Sequence, residues 1–182
     1  MEERNLYQIA ATRAIEAAVK KLRASGLKWW AEGGTCLGAV RHGDAIPHDT
    51  DVDFMILMED KDKVAAFRQS LEDDKDFHYL HTFGTPENGY EFSFANHGVK
   101  IDFFFAYEEG DKLWYSSWYG AEQLFYDLPK CLFDDLKEIE MQGVKFFIPN
   151  PPEEYLTLLY GDWQTVNPDW NWVTDPVCLR KT

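Results

Sequence analysis

The chain has 182 residues, 45% hydrophobic and 16% aromatic, enough for a single compact domain (1–182) with a bulky core, and its 27% of charged residues excludes a disordered composition. A net charge of −14 argues against sequence-independent nucleic-acid binding, which relies on Lys and Arg at phosphates, and against holding an anionic substrate by protein charge alone. Cys36, Cys131 and Cys178 are odd in number and have no paired spacing, so neither a disulfide framework nor a zinc site is expected, and a reducing compartment is the simplest inference.

In chain order, Met1-Glu2-Glu3-Arg4 is charged and does not read as a signal peptide. Asn5 caps a helix running to about Ala24, with Leu6, Ile9, Ala10, Ala17, Val19 and Leu22 at helical spacing and Ser25-Gly26 as its stop. Lys28–Ala31 reads as a short strand. Gly33-Gly34 then turns the chain into a second helix, about Thr35 to Arg41. A loop with Gly43, Pro47 and His48 leads to a strand over Asp51–Met58 and a helix over Asp60–Leu71. His78–Phe83 and Tyr90–Ala95 read as strands, and Asn96-His97-Gly98 returns the chain into Val99–Tyr107, a hairpin signal. Glu108–Asp111 is a turn, and Leu113–Tyr119 is aromatic without a clear period. Glu138–Met141 and Val144–Ile148 pair through Gln142-Gly143, and Pro149 to Pro152 stops the sheet and opens a helix over Glu153–Tyr160. From Gly161 onward an irregular packed coil is expected. No run of 18 apolar residues is present, so no transmembrane helix is expected. The pattern predicts an α+β fold with a mixed central sheet and flanking helices.

Two carboxylates carry the chemistry. Asp51 and Asp53 are two apart in a strand, so they point to the same face, about 6.7 Å apart along it. Like charges so placed need a cation, and hard oxygen ligands suit Mg²⁺ or Mn²⁺. In Val99–Tyr107, Val99, Ile101, Phe103 and Phe105 share one face, and Lys100, Asp102 and Phe104 share the other. Asp102 is then a third ligand if the two strands are neighbours, or a base for an attacking hydroxyl. The Gly33-Gly34-Thr35 turn at a helix N-terminus offers backbone N–H groups to a phosphate. Arg41 matches phosphate oxygens with its planar fork, and Lys100 reaches the same cleft or steadies Asp102. His42 and His48 are loop histidines able to act as acid or base, and Asp49 is an outer acid or a strand cap. These readings end at metal-dependent phosphoryl or nucleotidyl transfer.

The stretch from Gly33 through His48 to Asp53 (GGTCLGAVRHGDAIPHDTDVD) resembles the hallmark segment of the LicD/fukutin-related family, on the nucleotidyltransferase superfold. Val99-Lys100-Ile101-Asp102-Phe103-Phe104, Tyr155-Leu156 and Tyr160-Gly161-Asp162-Trp163 continue the likeness, which reaches from about residue 30 to 165. The resemblance implies transfer of a phospho-alcohol, such as phosphocholine or phosphoribitol, from a CDP-linked donor to a glycan or glycolipid hydroxyl, with Asp51, Asp53 and Asp102 at the metal. It implies donor contacts from Gly33, Gly34, Thr35, Arg41, His48 and Lys100. His48 departs from the family pattern, which usually has Trp there, so this loop is expected to shape a different pocket. The alternatives are transfer of a nucleoside monophosphate from an NTP to a small molecule, and a degenerate domain that binds a glycan or a partner. Without a leader or span a cytoplasmic location is expected, or a Golgi lumen should the chain be a piece of a longer protein.

Overall fold

A computed structural model describes residues 4–180; the charged start at residues 1–3, and 181–182, lie outside them. Helix α1 (Leu6–Ser25) opens on a reciprocal cap: the Asn5 side chain accepts from the Gln8 backbone N–H (2.9 Å), and Gln8 accepts from the Asn5 N–H (3.0 Å). Then follow β1 (Trp29–Ala31), α2 (Gly33–His42), β2 (Asp51–Leu57), α3 (Lys61–Glu72), β3 (His78–Thr85), β4 (Asn88–Asn96) and β5 (Val99–Glu109). After these come β6 (Lys112–Tyr119), β7 (Glu122–Pro129), a short 3₁₀ turn, β8 (Lys137–Met141), β9 (Val144–Ile148) and α4 (Pro152–Tyr160). No helix is long and apolar enough to cross a membrane among the described residues.

The main sheet runs β1-β2-β5-β4-β3, with β6 on the far end of β5 and β7 on β6. Only β2–β5 is parallel among its pairs; the others are antiparallel, so the sheet is mixed. The β4–β5 and β8–β9 hairpins turn through residues with positive φ, His97-Gly98 (51°, 78°) and Gln142-Gly143 (50°, 83°), the backbone that matches strand twist in a two-residue loop. The sequence reading of these hairpins holds to within a few residues. It left Leu113–Tyr119 unassigned and missed β7. Trp114, Ser117 and Trp118 are half-buried while Leu113, Tyr115 and Ser116 are buried, so neither a clean alternation nor an apolar run marks the strand.

One face of the sheet is the core. Phe54, Phe103, Phe92 and Phe94 are fully buried there. The Phe67 ring of α3 packs against Phe92 (6.1 Å) and edge-on to Phe103 (5.2 Å). Each such ring contributes about 1.5–3 kcal/mol by leaving water. The other face, carrying Asp51, Asp53, Lys100 and Asp102, lies open under α2, α4 and the coil after Gly161.

Candidate functional site

Strand pairing assembles the site. Asp53 on β2 stands opposite Asp102 on β5, Asp102 opposite Ser93 on β4, and Ser93 opposite His81 on β3. A polar row thus crosses four strands. One ligand oxygen from each of Asp51, Asp53 and Asp102 lies within 4.8 Å of the others. Three hard oxygens so spaced fit one divalent ion with bonds near 2.0–2.6 Å. Lys100 Nζ bridges Asp51 (2.8 Å) and Asp102 (2.7 Å), while the second oxygen of Asp102 accepts from the Ser93 hydroxyl.

The electrostatics follow from crowding. Burial, then Asp51, Asp102 and Asp49, push the Asp53 carboxyl well above the usual carboxylate range. Asp49 is pushed up to about 6, by burial first and Asp51 second. Burial alone would lower Lys100, but Asp102 and Asp51 outweigh it and hold the ammonium protonated. The site therefore has more negative charge than its own cations balance, as a cation-binding cleft requires.

The cleft opens into a cavity of about 590 Å³, lined among others by Gly33, Gly34, Arg41, His48, Asp51, Asp53, Lys100 and Asp102. Eight of the nine residues that the resemblance implies at the metal and the donor therefore share one cavity. Thr35 is the exception. It is 5% exposed and outside the cavity lining, and its hydroxyl accepts the Asp53 backbone N–H at 2.8 Å, so it ties α2 to β2 and holds the Asp53 backbone. The glycine pair also differs from the expectation. Both glycines lie in the first turn of α2, and the Gly33 N–H donates to the Tyr155 hydroxyl (3.1 Å). A Cβ on Gly34 would come 2.6 Å from Asp49 Oδ2, and one on Gly33, at φ +51°, would come 3.4 Å from Asp53 Oδ2. The positive end of α2 therefore faces two carboxylates and stabilises them. Arg41 donates to the Trp163 carbonyl at 3.1 Å. His42 is exposed and outside the cavity lining, and burial then Arg41 lower its pKa. Cys36 is fully buried, which pushes its thiol up and suits a packed side chain.

Two acids escaped the sequence reading. Glu32, 3% exposed, precedes the glycine pair. Its Oε2 accepts from Trp30 Nε1 (3.1 Å), Oε1 has no partner among the described residues, and burial pushes its carboxyl up to about 7. Glu91, 5% exposed, lines the cavity from β4, pushed up to about 8 by burial and then by Asp102. The strict alternation of β4 already placed Glu91 and Ser93 on one face; only the pairing with β5 shows that it is the face of Asp102. The cavity's aromatic side comes from far along the chain: Phe83 stacks with Trp118 (5.9 Å, 22°), and Tyr160 packs on Trp170 (4.6 Å).

Residues 26–151 match the family described as LicD/FKTN/FKRP, nucleotidyltransferase domain. Among curated proteins, the ribitol-5-phosphate transferase FKTN of Homo sapiens is 31% identical over 176 residues, covering 93% of this chain and 36% of its own length. The ribitol 5-phosphate transferase FKRP of Homo sapiens is 29% identical over 153 residues, covering 82% of this chain and 30% of its own. An uncharacterized protein of Rickettsia prowazekii is 28% identical over 172 residues, covering 89% of this chain and 60% of its own. The chain thus spans about a third of the length of the two transferases. A solved structure of ANT(2")-Ia in complex with adenylyl-2"-tobramycin aligns with 57% of this chain at 16% identity and a TM-score of 0.40, too slight a likeness to carry an argument. With the family match running from β1's approach through the Asp51–Asp53 strand and Asp102 to the end of β9, the chain belongs to the LicD/FKTN/FKRP nucleotidyltransferase family.

Proposed function

We propose that this chain is the catalytic domain of a metal-dependent phosphotransferase that moves a phospho-alcohol, phosphoribitol or phosphocholine, from a CDP-linked donor to a glycan or glycolipid hydroxyl. The observation that carries the reading is the convergence of Asp51, Asp53 and Asp102 in one cavity of a chain whose relatives FKTN and FKRP are named ribitol-phosphate transferases. Asp51 and Asp53, with Asp102, would hold Mg²⁺ or Mn²⁺. A divalent ion so held would supply charge neutralisation for the donor's diphosphate.

The chain's own groups supply the rest. Lys100, protonated between Asp51 and Asp102, presents an ammonium to phosphate oxygens. Arg41, Gly33 and Gly34 line the same wall. The Phe83–Trp118 pair and Trp170 offer ring faces to a sugar. The acceptor oxygen forms a bond to the outer phosphorus, the bond to the CMP oxygen breaks, and a cleft carboxylate takes the hydroxyl proton.

The test is product analysis. Incubation with CDP-ribitol or CDP-choline, a glycan acceptor and Mn²⁺ is expected to release CMP and to add the mass of the phospho-alcohol to the acceptor. Pyrophosphate release from ATP or CTP with a nucleotidylated product would overturn this reading in favour of nucleotidyl transfer.

A further inference from the structure

The open face of the sheet carries a second set of ligating side chains beyond the three aspartates. Asp102 sits between the two sets. Its Oδ2 pairs with Lys100, which also holds Asp51 of β2, and its Oδ1 accepts from Ser93 on the β4 side. Past Ser93 stand His81 and Glu91. One ligand atom from each of His81, Glu91 and Asp102 lies within 4.8 Å of the others.

Acids gather on many surfaces without a cation, so spacing alone decides nothing. Glu91 decides it. The residue is 5% exposed, its Oε2 has no hydrogen-bond partner among the described residues, and its Oε1 lies 3.7 Å from His81 Nε2. A buried carboxylate oxygen left unpaired is costly, and a cation is the partner that removes the cost. The cationic side chains of the cleft are committed elsewhere: Lys100 to Asp51 and Asp102, Arg41 to the Trp163 carbonyl.

We propose that His81, Glu91 and Asp102 form a second divalent-cation site, sharing Asp102 with the first. The imidazole distinguishes it. A nitrogen ligand favours Mn²⁺ or Zn²⁺, whereas Mg²⁺ keeps to oxygens and water. Half-exposed His81 gives the ion an entry route from solvent, and the Ser93 hydroxyl fixes the Asp102 carboxylate between the two sites. The site lies towards β3 and the Phe83–Trp118 rings, away from α2. If the phosphotransfer reading holds, an ion there binds an acceptor oxygen; the site itself does not depend on that reading.

The experiment uses EDTA-stripped whole chain titrated with MnCl₂, read by calorimetric stoichiometry and by electron spin-echo detection of ¹⁴N coupling to Mn²⁺. The wild type is expected to bind two ions, one of them ¹⁴N-coupled. His81→Ala and Glu91→Gln are each expected to bind one ion with the coupling lost, and Asp51→Asn to keep the coupled ion. Retention of the coupled ion in a wild type that is inactive toward CDP-alcohols supports the second site while removing the functional reading. A wild-type spectrum without ¹⁴N coupling overturns the proposal without any variant having to fold, and so does coupling that survives His81→Ala.

Discussion

The two faces of strands β2, β5 and β4 are built from alternate residues of the same segments, yet they obey opposite rules. On one, Phe54, Phe103, Phe92 and Phe94 exclude water and pack on α1 and α3. On the other, Asp51, Asp53, Asp102 and Glu91 crowd like charges around one ammonium. The period of two is what permits this: stability is made on one side and held against the cost of charge crowding on the other. A substitution on the core face is expected to change stability, and one on the open face to change activity with little or opposite effect on stability.

The largest break in that contrast comes from the core face. Phe103→Ala removes a fully buried ring and is expected to cost about 3–5 kcal/mol in chemical denaturation; a loss under 1 kcal/mol would mean that this face is not the core. On the open face, Asp53→Asn, two residues from Asp51, is expected to lower turnover at least about a hundredfold while leaving the thermal midpoint unchanged or higher, since a crowded carboxyl is relieved. EDTA is expected to silence the wild type likewise, and added Mn²⁺ to restore it. Turnover that persists in EDTA contradicts the metal reading.

Acidity sharpens the contrast next. The Glu32 carboxyl sits at about 7 in the fold against 4.5 ordinarily, so the folded chain holds this proton more tightly than the unfolded one. The stability it contributes is full below pH 4.5 and is lost as pH rises through 7. Without metal, wild-type stability is expected to fall from pH 5 to 8, and Glu32→Gln to flatten that fall by on the order of 2 kcal/mol. Parallel slopes for the two proteins would show that Glu32 is already ionised. The smallest effect is expected at the seam between helix and sheet. Thr35→Val removes the acceptor of the Asp53 N–H and should cost about 1 kcal/mol. It should also weaken metal binding several-fold, because the backbone that aims Asp53 is loosened; unchanged metal affinity would make Thr35 a packing residue only.

Local signals carried much of this into the sequence. The Asn5 cap, the His97-Gly98 turn and the Asp51–Asp53 spacing each depend on residues within a few positions of one another, so α1, the β4–β5 hairpin and the paired aspartates were legible. Asp102 was legible through the alternation of β5, and the family resemblance pointed to the rest of the segment. What was hidden is what partners decide. Thr35 looked like part of a phosphate turn until β2 came to lie beneath it. Glu91 shares a face with Ser93 and Ala95 by alternation, and only the pairing with β5 makes that the face of Asp102. The β6–β7 hairpin, half-buried on its outer side, shows no clean period, and the tryptophans of the tail reach the cavity only through folding of the whole chain.

The parallel pairing of β2 with β5 sets a timetable for the molecule. Asp53 and Asp102 are about fifty residues apart, and a parallel pair cannot be closed by a tight turn: α3, β3 and β4 must all be laid down in between. Closing so long a loop is the slow kind of event in folding. The ligand set therefore comes into being in the last stage of refolding, and no fragment ending before β5 has it. In a stopped-flow refolding experiment, tight Mn²⁺ capture should rise with the slowest structural phase and never ahead of it.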